Sequence, residues 1–392
     1  MLISVAYILI CGFALSGIFQ KLKLPGLLGM VIAGIILGPQ VLNVIDGNIL
    51  AVSHDLREIA LIVIMIRAGL SMDLADLKKV GRPAILLSFI PATFEIIGVL
   101  VLAPALLGIS YIEAAILGAI LAAVSPAVIV PKMITLIEKG YGRKKCIPQL
   151  VMAGAAVDDI YAIVLFTSFI GLYKGYNFNG SSLVKIPFAL FTGALLGFIA
   201  GALLVYIFKK LHIRDTIKVL LIIGICFLFV GYEDHITRYI PFSGLLAVIA
   251  LSITILELRE IVAKRISVKF SKIWVAAELI LFVLIGTAVD IQNLYTAGLS
   301  AAVVILGALL FRAAGVMISL SKAGLNFREA LFCNIGYLPK ATVQAAVGAI
   351  PLAAGVTSGN VILSVAVLSI FLTAPLGALA IDLTYKKLLE KD

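Results

Sequence analysis

Charge is scarce in this chain. Of 392 residues only 13% are Asp, Glu, Lys or Arg and three are histidine, against 62% hydrophobic residues and a mean hydropathy of +1.18. A soluble globular domain carries about 25% charged residues, so that class is excluded. Cysteine is equally sparse: Cys11, Cys146, Cys226 and Cys333 lie in or at the edges of apolar segments with no paired spacing. Neither a disulfide framework nor a thiolate metal cluster fits that pattern. Low-complexity runs and long polar linkers are missing too, and one transmembrane domain over residues 1–392 is expected. No small-residue cleavage signal follows the first apolar stretch, which therefore reads as a retained helix. With about eight residues after the last apolar segment, no cytosolic nucleotide-sensing domain is expected to follow.

What is present is a series of apolar segments of about 20 residues with short polar connections, which calls for membrane-spanning helices rather than barrel strands. Thirteen spans are expected: 2–20, 24–42, 57–72, 83–107, 111–131, 147–172, 187–208, 216–231, 241–257, 273–289, 296–320, 329–351 and 360–384. Of the 31 basic residues, 24 fall on one set of alternate connections. Four (Arg57, Lys174, Lys185 and Arg238) fall on the other set, and three (Arg67, Arg312 and Lys340) fall within spans. By the positive-inside rule the N-terminus is outside and the C-terminus cytoplasmic. The net charge of +10 then reflects cytoplasmic loops facing anionic membrane lipid, and no nucleic acid is implied. The expected location is the cell membrane, of the prokaryotic inner-membrane type.

Against this apolar background the run Gly154–Phe166 stands out, with Asp158 and Asp159 adjacent inside it. A carboxylate near the bilayer centre costs at least about 2.5 kcal/mol, so two in succession imply a polar cavity, a partner or a bound cation. At about 1.5 Å per residue, Asp158, Asp159, Glu95, Arg312 and Lys340 all lie near the midplane. Arg67 and Glu278 lie nearer the cytoplasmic ends, where snorkelling or a local ion pair accounts for them. Successive helical residues point about 100° apart, so Asp158 and Asp159 cannot share one proton as a close dyad would. One can face a cavity while the other meets a base. A purely structural reading would pair one aspartate with Lys340 and Glu95 with Arg312. Apolar packing stabilises as well as such buried pairs do, which favours an ion or proton site.

Two spans carry helix-breaking chemistry at matching depth. The fifth contains Ser125-Pro126 and Pro131, the twelfth Gly336-Tyr337-Leu338-Pro339-Lys340. Proline bends a helix and frees carbonyls. Interrupted helices in corresponding positions of two halves mark the binding site in transporters, and spans 4–6 correspond here to spans 11–13.

Together the Asp158-Asp159 pair, Ser125-Pro126-Ala127-Val128, the run Leu338–Ala346 (Leu-Pro-Lys-Ala-Thr-Val-Gln-Ala-Ala) and the early Gly/Pro segment Leu24–Pro39 resemble the cation/proton antiporter superfamily, in its NHA-like sodium/proton exchanger branch. The likeness covers essentially the whole chain. It implies an all-α integral membrane fold of about thirteen helices, with inverted repeats and two broken, crossing helices. It also implies a homodimer, in which an ion-binding core of 83–172 and 296–384 moves against a dimerisation scaffold of 1–72 and 187–289. By motif match Asp159 is the principal carrier, with Asp158 beside it and Lys340 as the partner of Asp158. Several relatives have a lysine where this chain has Arg312, and branch members pair such an arginine with a glutamate matching Glu95. An arginine does not release its proton and cannot be a second carrier.

The implied mechanism is competition at one site, where protonating Asp159 removes the charge that holds the cation. Sodium or lithium would be held by oxygen ligands: the two carboxylates and Ser125 or freed carbonyls of span 5. No resident cofactor and no enzymatic activity are expected. The alternatives are a potassium/proton antiporter, a sodium-coupled organic-solute symporter and a cation channel. A symporter would need a larger polar cavity, and a channel would need a carbonyl-rich filter sequence. An intramembrane protease would draw its aspartates from two different helices.

Overall fold

The computed structural model describes residues 1–22, 24–71, 81–174, 180–211 and 213–391; for Ala156, Leu190, Asp234, Ile291 and residues 180–187 and 293–297 only the backbone is described. Lys23, Lys78 and Lys79, counted among the cytoplasmic bases, and Met72 at the end of the third expected span lie outside the described residues, as does the side chain of Lys185.

The described residues form helices, joined by short turns and one isolated bridge between Tyr141 and Lys391. In chain order they are α1 (Leu2–Lys21), α2 (Gly26–Leu37), α3 (Gly47–Ala51), α4 (Ser53–Ser71), α5 (Arg82–Leu107), α6 (Tyr111–Ala122), α7 (Pro126–Glu138), α8 (Ile147–Tyr173) and α9 (Gly180–Lys210). They continue as α10 (Asp215–Gly231), α11 (Glu233–Thr237), α12 (Gly244–Leu258), α13 (Glu260–Thr287), α14 (Ile291–Leu320), α15 (Phe327–Gly336), α16 (Thr342–Val347), α17 (Ile350–Ala353) and α18 (Gly359–Leu388). Seven helical segments among the described residues are long and apolar enough to cross a membrane, with three shorter apolar ones at Gly26–Leu37, Gly244–Leu258 and Thr342–Ala353.

The chain divides into two compact units. The first comprises Met1–His54, Asp73–Tyr173 and Leu281–Asp392. Within it α5 lies along α14, the most extensive helix pair of the chain, and each helix makes room for the other. A methyl group on Gly315 would meet Pro91 Cα at 2.8 Å, and one on Gly98 would meet the Phe311 ring at 2.9 Å. Such small-residue contacts supply van der Waals packing where lipid removes the hydrophobic drive for helix association. The order α5, α6/α7, α8 is matched by α14, α15/α16/α17, α18: a long helix, an interrupted helix, a long helix.

The match extends to the helix starts. Ser110 and Glu113 form a capping box on α6, and Asn326 and Glu329 form one on α15. Each box satisfies backbone donors that a helix start leaves orphaned. Each glutamate also reaches the other half: Glu113 Oε1 accepts the Ser358 N–H at 2.9 Å just before α18, and Glu329 pairs with Lys145 at 2.8 Å just before α8. Neither glutamate was singled out from the sequence, although the Ser/Asn-x-x-Glu spacing is the signal.

The second unit comprises Asp55–Met72 and Lys174–Ile280. Here α9 packs on α12 through Gly193, Gly197 and Gly201, one per turn. A methyl group on Gly197 would sit 2.3 Å from the Ala247 carbonyl oxygen and 2.8 Å from Ala250 Cβ. The expected result of Gly197→Ala is a loss of about 1–3 kcal/mol as the pair is forced apart, read as a lower melting temperature in detergent. Arg67 lies 5.3 Å from the centre of the Trp274 ring and interacts with Glu278, the local pairing that its depth suggests.

One helix extends beyond its expected span. Residues 260–272, expected as a connection before the span 273–289, are helical, and α13 runs unbroken from Glu260. Its first turns are polar and held by pairs such as Glu260 with Lys264 at 2.6 Å, spaced i,i+4. Hydropathy reports the apolar part of a helix, and a charged extension with such pairing continues past it.

Candidate functional site

The site lies within the first unit, where two helices are interrupted. Pro126 begins α7 at a position that needs no N–H, and it disfavours helical geometry at Ser125. Residues 123–125 are accordingly non-helical, with Ser125 extended at φ −83° and ψ 106°. Pro339 does the same between α15 and α16. The two unwound segments meet directly: the Ser125 N–H donates to the Pro339 carbonyl at 2.8 Å. Pro131 breaks nothing, contrary to the expectation. It lies inside α7, where it forfeits one backbone hydrogen bond without ending the helix.

Ending α6 at the midplane leaves carbonyls that lipid cannot satisfy. Side chains from the other half take those of residues 120–123. Gln344 Nε2 donates to Ile120 at 2.8 Å and to Ala123 at 2.9 Å, Lys340 Nζ to Leu121, and Arg312 to Ala122. Two cations at the negative end of a half-helix are also electrostatically favourable. Four freed carbonyls of the first break are thus engaged as caps, two by the cations Lys340 and Arg312 and two by the neutral Gln344. Gln344 belongs to the run Leu338–Ala346, whose pattern alone does not disclose this capping role. Thr373 was missed: its Oγ1 accepts the Lys340 N–H at 2.9 Å and fixes the start of that side chain.

The ion pairs join all the midplane charges but one. Arg312 bridges Glu95 Oε2 at 2.6 Å and Asp158 Oδ2 at 2.8 Å, and Lys340 Nζ lies 2.7 Å from Glu95 Oε1. Lys340 therefore pairs with Glu95 rather than with Asp158, because its chain extends toward the α6 terminus where Glu95 lies. Asp158 Oδ2 also accepts the Val124 N–H at 3.1 Å, tying α8 to the first break. Asp159, 5% exposed, makes no ion pair among the described residues.

Three carboxylates thus face two bases. The carboxyl left without a base is that of Asp159. The buried oxygens Asp159 Oδ1, Asp158 Oδ1, Ser125 Oγ and Thr342 Oγ1, on α8 and at the two breaks, have no hydrogen-bond partner. Each such group costs about 1–3 kcal/mol when left unmade. Hard oxygen donors of this kind suit a hard cation and leave nothing for a soft metal.

Known proteins share both sequence and fold with this chain. A family model described as "Sodium/hydrogen exchanger, transmembrane" matches residues 5–387. Sodium/hydrogen exchanger 9B2 of Homo sapiens is 35% identical over 423 residues, covering 100% of this chain and 75% of the relative. Sodium/hydrogen exchanger 9B1 of Homo sapiens is 30% identical over 387 residues, covering 94% of this chain and 73% of the relative. The structure of the sodium proton antiporter MjNhaP1 from Methanocaldococcus jannaschii at pH 8 superposes with a TM-score of 0.84 at 20% identity, covering 99% of each chain, which establishes the antiporter fold. With the family model matching nearly the full length, this chain belongs to the sodium/hydrogen exchanger family.

Proposed function

We propose that this integral membrane protein exchanges sodium or lithium ions for protons by alternating access, with Asp159 as the carrier. The observation that carries the reading is the charge count at the crossover, where Asp159 is the one carboxylate without a base. A lone charge near the midplane is costly, and either a proton or a monovalent cation neutralises it. Both cannot occupy it together, so one displaces the other. One excess carboxylate carries one positive charge in each direction. Asp158 Oδ1 and Ser125 Oγ supply further oxygens, while Arg312 and Lys340 stay engaged with Glu95 and the α6 terminus. Relatives named as sodium/hydrogen exchangers support the choice of ion. In this reading residues 83–172 and 296–384 move against a scaffold of 1–72 and 187–289, in a homodimer with the N-terminus outside and the C-terminus cytoplasmic.

The test is dequenching of a pH-sensitive dye in proteoliposomes holding an imposed proton gradient, on adding sodium, lithium or potassium. A response to sodium and lithium is expected. A response to potassium alone would replace sodium with potassium as the exchanged ion. Silence with every cation, in vesicles that pass an active control, would sink antiport in favour of a solute symporter or channel.

A further inference from the structure

Tyr337 takes no part in the ion pairs or the caps, yet it is among the largest fully buried side chains of the chain. It occupies the C-cap of α15, the first residue of the second break. Its ring lies against the Arg312 guanidinium, with Cζ 5.3 Å from the ring centre. Arg312 Nε has no hydrogen-bond partner, so the guanidinium is held by its terminal nitrogens and by this ring. The Tyr337 hydroxyl is also without a partner, and it occupies the space that a side chain at Gly154 would fill: a methyl group there would stand 2.0 Å from it. Gly154 lies one turn before Asp158 on the same face of α8. The ring is therefore wedged between the helix that carries the aspartates and the base that neutralises one of them.

An arginine beside two adjacent aspartates presents a hazard to transport. A guanidinium has five donors and a permanent charge, and it competes with any cation for a free carboxylate. Arg312 must serve Glu95 and Asp158 without turning onto Asp159, one residue further along α8. Stacking on an aromatic face restrains a guanidinium while leaving its edge free to bridge carboxylates. We propose that Tyr337 is a positioning residue for exchange, whose ring pins Arg312 across Glu95 and Asp158 and so keeps Asp159 open to the transported cation. This rests on the antiport reading of the same site.

The test compares Tyr337→Leu, which removes the ring, with Tyr337→Phe, which keeps it, in the proteoliposome assay. The leucine variant raises the apparent sodium KM about tenfold, with the maximal rate within about twofold of the parent, and phenylalanine restores the parent KM. A purely structural residue would lower yield and maximal rate without moving KM. Tyr337→Met, which also fills the space without a ring, takes the same place if the leucine variant does not fold. A leucine or methionine variant with unchanged KM overturns the proposal, and so does a phenylalanine variant as impaired as the leucine one. The sodium concentration giving half of the maximal rise in melting temperature in detergent reads the same shift without transport. A parent that sodium stabilises but that does not exchange sinks antiport while the ring is still tested. A parent that sodium does not stabilise overturns the positioning role as well.

Discussion

Asparagine at position 159 abolishes sodium-dependent proton release and leaves the protein folded. The substitution preserves size and one oxygen, but it removes the ability to alternate between a charged and a neutral state, on which competition between a proton and a cation depends. Exchange in proteoliposomes should fall by at least about two orders of magnitude, a barrier difference of roughly 2.7 kcal/mol or more. The stability of the variant separates this from damage to the fold. Asp159 has no cationic partner among the described residues, so the substitution breaks no ion pair. The melting temperature should be equal to or above that of the parent. Full retention of exchange by Asp159→Asn would sink the assignment.

Methionine at position 312 should have the largest effect on stability. Arg312 holds two carboxylates and one capped carbonyl at once, and all are buried. Its removal strands Asp158, leaves Glu95 with Lys340 alone and uncaps Ala122. Breaking a buried ion pair by deleting one partner costs about 3–5 kcal/mol. Adding Asp158→Asn to Arg312→Met should recover part of that loss, since the stranded charge disappears with it. Lysine at 312 should recover little, because a point charge cannot bridge both carboxylates and the carbonyl as a planar fork does. Thermal unfolding in detergent measures all three, and a loss below about 1 kcal/mol for Arg312→Met would contradict the role given to it.

The helices were legible in the sequence because lipid forces them to be: an apolar run of about 20 residues has few alternatives. The two interruptions were legible for a similar reason, since Ser125-Pro126 and Leu338-Pro339 cannot continue a helix undisturbed. Pro131 shows the limit of that inference, as a proline several residues into a helix bends it without ending it. The choice of partners was not legible. Arg312 meets Asp158 across 154 residues of chain and Glu95 across 217, and no local pattern encodes such a meeting. Lys340 was assigned to the wrong acid on that account. The caps on α6 were hidden in the same way, although the need for caps was not: any helix that stops at the midplane must find donors for its last carbonyls.

That need has a consequence for the order in which the protein is made. The donors that cap α6 lie 190 to 224 residues further along the chain, an interval of about 10–45 s at roughly 5–20 residues synthesised per second. Through that time α6 and α7 have been made but Arg312, Lys340 and Gln344 have not. As one continuous helix they would satisfy Ile120 with the N–H of Val124, Leu121 with that of Ser125 and Ala123 with that of Ala127, leaving only Ala122, opposite the imino nitrogen of Pro126. A continuous bent helix is thus the arrangement that best satisfies these carbonyls before the second half is present. The interruption of the first half depends on donors supplied by the second.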